Sequence, residues 1–225
     1  MFASDEWCTI PFLEIKKNTL DRINDIILHL PECFAIRTKL RNQRNRSEPS
    51  DATRRELEAK ALWLAIRLEE YWKEYGDDID DLYSHEQYYE VSDFQGHPED
   101  WIITSLQPVT FRDTFAATNI PDYDAAVMLA HTLLMETFPE SLEVYNQRIA
   151  IHCESILQAC AFHQKVGLWS GGDVSMVFAL KSVEACTPSR RQRGTSAEEL
   201  AKWGATRGVA GICKLWRREY DAGIL

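Results

Sequence analysis

Side chains between Glu140 and His163 return at steps of three and four. Leu142, Tyr145, Ile149, Cys153, Ile156, Cys160 and His163 carry this repeat. It places them along one side of a 3.6-residue spiral and predicts a long amphipathic helix. Gly167, Gly171 and Gly172 then interrupt the pattern with residues that tolerate backbone angles a helix cannot use. A second helix is expected from near Asp173, a capping side chain, with Val174, Val177, Phe178 and Leu180 turned inward. A helical hairpin over Glu140–Cys186 is therefore the element around which the rest is expected to assemble.

The same periodicity runs elsewhere. Leu20, Ile23, Ile26, Ile27 and Leu30 form one stripe, with Asn18 or Thr19 as its cap. Pro31 should split that helix, because it lacks an amide hydrogen and clashes with the preceding turn. Cys33, Phe34, Ile36 and Leu40 carry the next segment, and the polar run 41–51 reads as a linker. Leu57, Ala61, Leu64, Leu68, Tyr71, Trp72 and Tyr75 predict a helix from about Ala52 that Gly76 should stop. A short helix is expected around 111–118. Asn119 should then cap another helix with Pro121 at its first position. Pro139 should end it. Thr187–Thr195 reads as a basic loop. Ser196 and Glu199 fit a capping box for a last helix bearing Leu200, Trp203, Ile212, Leu215, Trp216 and Tyr220. No alternating strand pattern of useful length occurs. The expected fold class is all-α, with about six to eight helices. Residues 1–17 form an irregular lead-in, and 18–225 form a single domain.

Charge and cysteine usage narrow the function. The net charge is −10, which opposes binding to nucleic acid phosphates. The six cysteines, at 8, 33, 153, 160, 186 and 213, form no C-x-x-C pair. They read as small apolar side chains of a reducing compartment, nuclear or cytoplasmic. No apolar run is long enough to span a bilayer, and the chain opens without a secretory signal pattern.

The order of these pieces resembles the helical regulatory domain of fungal zinc-cluster transcription factors. An apolar helix leads to a leucine–proline turn at Leu30-Pro31, and a later helix ends in a tryptophan at Trp72. A phenylalanine-bearing segment, Phe111 to Leu134, then feeds an apolar helix. A helix, a glycine loop and another apolar helix follow from Ile149 to Ala185. The resemblance spans about residues 10–220 and corresponds to the carboxy-terminal half of that region. The family's six-cysteine zinc cluster, which binds DNA, is absent. The cysteines here are scattered and lack its spacing. The resemblance implies pathway regulation through a protein partner or an apolar small molecule, without direct contact to nucleic acid.

Other constellations bear on chemistry. The run Asp77-Asp78-Ile79-Asp80-Asp81 could hold magnesium through hard oxygen ligands or simply form a solvated acidic turn. Asn146 and Glu154 are similar to half of the second metal motif of class I terpene cyclases. Gln147 and Ala150 stand where that motif has an acid and a hydroxyl. No metal and no cofactor are therefore expected. His163 is the weak candidate for proton transfer, and otherwise a hydrogen-bonded core histidine. Trp72, Tyr145, His163, Trp169 and Trp203 are candidates to line an apolar pocket, or to fill the core. No phosphate loop, dinucleotide fingerprint, zinc-protease motif or nucleophile elbow is found. An alternative to regulation follows from the aromatic content. A cofactor-free enzyme of fungal secondary metabolism, of cyclase or Diels–Alderase type, would need only a dry pocket that shapes its substrate. A closed apolar cavity would favour that alternative.

Overall fold

The structure, a computed structural model, describes residues 16–80, 89–92, 97–105, 111–166 and 172–206. The described part is all-α, as the periodicity predicts. Its α-helices are α1 (Thr19–Ile27), α2 (Leu30–Asn45), α3 (Asp51–Asp80), α4 (Thr114–Thr137), α5 (Leu142–Val166), α6 (Gly172–Cys186) and α7 (Arg190–Thr206). Short 3-10 turns occupy Pro98–Asp100 and Pro139–Ser141. One small departure is an antiparallel ribbon of β1 (Tyr89–Ser92) and β2 (Ile102–Ser105), paired Tyr89 to Ser105 and Ser92 to Ile102. Its four-residue strands are too short to leave an alternating signature. The lead-in through residue 15, Trp169 with its glycine loop, and the apolar positions from Ile212 onward lie outside the described residues.

Local chemistry explains the helix boundaries. Asn18 and Asp21 form a reciprocal cap on α1: the Asp21 amide donates to Asn18 Oδ1 at 2.8 Å, and the Asn18 amide to Asp21 Oδ2 at 3.1 Å. Pro31 sits in the first turn of α2, so the break between α1 and α2 falls where proline forces it. Gly76 does not stop α3, which continues to Asp80. The glycine instead makes room for a neighbour. A Cβ there would stand 3.1 Å from Trp72 Cε2, so the indole lies flat over the helix one turn on. Ser189 caps α7 by accepting from the Gln192 amide, and Arg190, Arg191 and Arg193 lie within that helix rather than in a loop. Ser196 is consequently interior to α7, where its hydroxyl donates to the Leu180 carbonyl at 2.6 Å.

The centre of the fold is α4, not the α5–α6 hairpin. Helices α3, α5 and α6 pack on α4, and α1 and α2 touch it as well. The hairpin forms and packs as expected, but on the outside of this axis. Alanines 116, 117, 125, 126 and 130 are all buried and let the neighbours approach closely. A helix enclosed on every side has no polar face, so its spacing carries little one-sided signal. That also hid its start. It begins at Thr114, capped by Asp113, whose carboxylate accepts from the Ala116 amide at 2.8 Å. Asn119 and Pro121 are therefore interior. Asn119 turns its amide group to the Phe115 carbonyl at 2.8 Å.

Pro121 inside α4 cannot donate to the carbonyl four residues back, that of Ala117. His163 of α5 makes that bond instead, with Nε2 2.9 Å from the Ala117 oxygen. The described cysteines behave as apolar side chains: Cys33, Cys153 and Cys160 are buried free thiols. Burial pushes the Cys33 thiol up to about 11. On α5, Ile149, Cys153, Ile156 and Cys160 are buried as the stripe predicts, but Leu142 at its start is exposed.

Candidate functional site

Among the described helices, α4 carries the largest share of the buried polar side chains. Asp122, Asp124, Asn119 and His131 are all buried on this otherwise apolar helix. Buried polar groups need partners, and buried charges need them more. Asp124 is fully enclosed, and its Oδ1 lies 2.8 Å from Nδ1 of His152 on α5. A carboxylate only accepts, so Nδ1 carries the hydrogen and the neutral ring keeps its lone pair on Nε2. The carboxylate also favours the imidazolium that forms when Nε2 takes a proton. The His152 side chain is 13% exposed, which gives the ring access to solvent.

Aromatic rings surround this pair. Tyr123 meets His152 edge-on at 6.2 Å between centroids and stacks on Trp72 of α3 at 4.5 Å. His131 lies 6.4 Å from His152 and 5.5 Å from Tyr145. Burial above all, with the cationic forms of His152 and Arg148 opposing a second charge nearby, drives His131 down to about 3, so its ring is neutral at physiological pH. Burial alone lifts Asp122 to about 7. Burial, helped by Asp124 and Glu69, raises the Tyr123 phenol as well. The corner thus holds one oriented histidine–carboxylate pair among groups whose charged forms the interior disfavours.

A second polar feature lies between α5 and α7. A cleft of about 220 Å3 is lined by Glu154, Leu157, Ala161, Arg191, Gln192 and Glu199, among others. Gln192 is buried, and its amide donates to the Ala150 carbonyl at 2.8 Å and to Glu154 Oε2 at 3.2 Å. Gln158 donates to Glu154 Oε1 at 3.3 Å. Thr187 fixes Gln192 from the far side through a 2.7 Å bond to its Oε1.

The pocket candidates divide accordingly. Trp72 and Tyr145 stand at the two ends of the ring chain Trp72–Tyr123–His152–His131–Tyr145. His163 lies about three turns further along α5. It is buried beside Phe162 and committed to the Ala117 carbonyl, with Nδ1 lacking a partner among the described residues. Trp203 is buried in the core from α7, and Trp169 lies outside the described residues. The structure therefore gathers two of the five candidates and places His163 and Trp203 elsewhere. With Pro121 read as a helix start, Asp122 and Asp124 look like ordinary first-turn acids, and His131 is a lone histidine in an apolar run. Gln192 carried no signal, since 38 residues separate it from Glu154.

Among the described residues no three His, Cys, Asp or Glu side chains converge as metal ligands would. No described helix is long and apolar enough to cross a membrane. Fold and site define the class: an all-α multi-helix domain with a close-packed axial helix, a histidine–carboxylate corner and a separate polar cleft. No protein-family model matches the chain, and no curated protein or solved structure matches it.

Proposed function

We propose that this chain is a helical regulatory domain that works by binding a protein partner, in the manner its resemblance to fungal zinc-cluster regulators implies. It would act in the nucleus or cytoplasm and without touching DNA itself. The observation that carries this reading is an apolar surface at the α1–α2 corner and on α3. Leu28, Leu62, Trp63 and Ile66 are all exposed there. His29 holds the Trp63 ring edge-on at 4.7 Å, which keeps a large apolar group presented to solvent. Exposed clustered apolar side chains with a fixed aromatic are the usual makings of a protein contact. Two of the residues offered for an internal apolar pocket are engaged elsewhere: His163 bonds a backbone carbonyl and Trp203 is buried in the core.

The test is the double substitution Trp63→Glu and Ile66→Glu, returned to the source organism after deletion of the gene. Both positions are exposed, so the melt of the purified variant should match the parent. The expected result is loss of the same transcripts that the deletion loses. Transcripts intact in the deletion strain, with a metabolic precursor accumulating, would overturn the proposal.

That second outcome belongs to the enzymatic reading, a cofactor-free cyclase. The Asp124–His152 pair is the observation that favours it, since an oriented imidazole beside stacked aromatics can move a proton next to an apolar substrate. Under that reading His152→Phe would accumulate the precursor while transcripts stay unchanged.

A further inference from the structure

We infer that the cleft between α5 and α7 is a binding site for a small α-amino acid, held by its ammonium at Glu154 and its carboxylate at Arg191. The site is separate from the apolar surface on α3 and stands on different observations. Glu154 is 7% exposed, yet among the described residues no cation pairs with it. Among the described residues its carboxylate accepts from the carboxamides of Gln158 and Gln192. Neutral amides satisfy lone pairs without neutralising charge, so a buried carboxylate in this setting has electrostatic stabilisation still to gain from a cation. The framework around it is fixed. Gln192 is pinned by the Ala150 carbonyl and by Thr187, so Glu154 is aimed by bonds that do not depend on a ligand.

The other wall of the cleft supplies the opposite charge. Arg191 lines it from α7 and has no carboxylate partner among the described residues. Glu199, the second acid of the cleft, is already engaged by Lys202 at 2.6 Å and by Gln164. The cleft therefore offers one unmatched acid and one unmatched base. Half-buried Leu157 and exposed Ala161 add apolar lining beside the polar groups. A volume of about 220 Å3 falls below the range for drug-sized ligands and suits a small metabolite. A zwitterion with a short apolar side chain answers all three features. A simple amine would leave Arg191 unmatched, and a simple acid would leave Glu154 so.

The experiment uses the full chain. Thermal melts are run with each proteinogenic amino acid at millimolar concentration, followed by calorimetric titration of L-leucine, isoamylamine and 4-methylvalerate. The last two are leucine without its carboxylate and without its ammonium. The expected result is binding of an aliphatic amino acid, with each single-charge analogue roughly 10- to 100-fold weaker, the worth of one charge-assisted hydrogen bond. In Arg191→Met, leucine and isoamylamine should bind equally. In Glu154→Gln, leucine and 4-methylvalerate should bind equally. Should Glu154→Gln fail to fold, Arg191→Met decides alone, because Arg191 is exposed and its loss leaves the core intact. No melt shift with any amino acid overturns the inference. Leucine binding that survives Arg191→Met unchanged overturns it too.

Discussion

The hydrogen bond from His163 to Ala117 makes a claim about Pro121 that a double-mutant cycle can test. Proline leaves the Ala117 carbonyl without its helical donor, and His163 replaces that donor at 2.9 Å from a ring that is 1% exposed. Replacing His163 by Leu should strand a buried carbonyl, at a cost of about 1–3 kcal/mol, with the lost ring packing added. Replacing Pro121 by Ala supplies an amide hydrogen to the same oxygen. His163→Leu should then lose only its packing contribution, because the carbonyl stays bonded. The packing contribution is common to both backgrounds and cancels in the cycle. The expected coupling is therefore about 1–2 kcal/mol, with His163→Leu the milder change in the Pro121→Ala background. Equilibrium urea unfolding at neutral pH, followed by tryptophan fluorescence, reads it from four midpoints at a common slope. Costs that add to within about 0.3–0.5 kcal/mol would refute the assigned role, since that is the scatter of independent sites.

Three further expectations concern other parts of the fold. Asp122 is held near 7 by burial against an ordinary 3.8, so its neutral form favours folding below about pH 4 and that stability is lost as pH rises toward 7. Asp122→Asn should therefore gain on the parent between pH 4.5 and 8, by up to about 4 kcal/mol, and parallel stability–pH curves would count against it. Glycine-to-alanine in a helix ordinarily stabilises by about 1 kcal/mol, but Gly76→Ala should lower the melting temperature. The added Cβ meets the Trp72 ring at 3.1 Å, and that ring is stacked on Tyr123 and cannot retreat; a higher melting temperature would show otherwise. Glu136 receives Arg37 at 3.0 Å, with Arg41 and Arg44 on the same group, tying α2 to the end of α4. Burial opposes its charge, but the bonds from Arg41 and Arg37 prevail and hold the carboxyl below its usual range. Its contribution is thus present at neutral pH and is lost as pH falls through that lowered value. Glu136→Gln should cost about 1–2 kcal/mol at pH 7, discounted because two of the arginines are exposed, and the loss should vanish in acid.

Much of the architecture follows from spacing alone. The stripe Leu57–Ala61–Leu64–Leu68–Tyr71 predicts α3 and its inner face, and those residues are buried. Asn18 and Pro31 announce their boundaries because capping and proline chemistry act over one turn of chain. Gly76 misled because a glycine's usual role at a helix end competes with a role visible only from Trp72's placement. Pro121 misled for a similar reason. It is tolerated within α4 only because a histidine 42 residues later takes up the carbonyl it abandons.

Sequence by itself determined that this chain is helical, where most helices lie and which side of the outer ones is apolar, because these depend on interactions between residues a few positions apart. Tertiary structure decided which helix became the axis, which buried carboxylates met a histidine and which met only amides, and which tryptophan was left facing solvent. Those outcomes rest on contacts between residues tens of positions apart, and a period of 3.6 residues holds no information about which faces will meet.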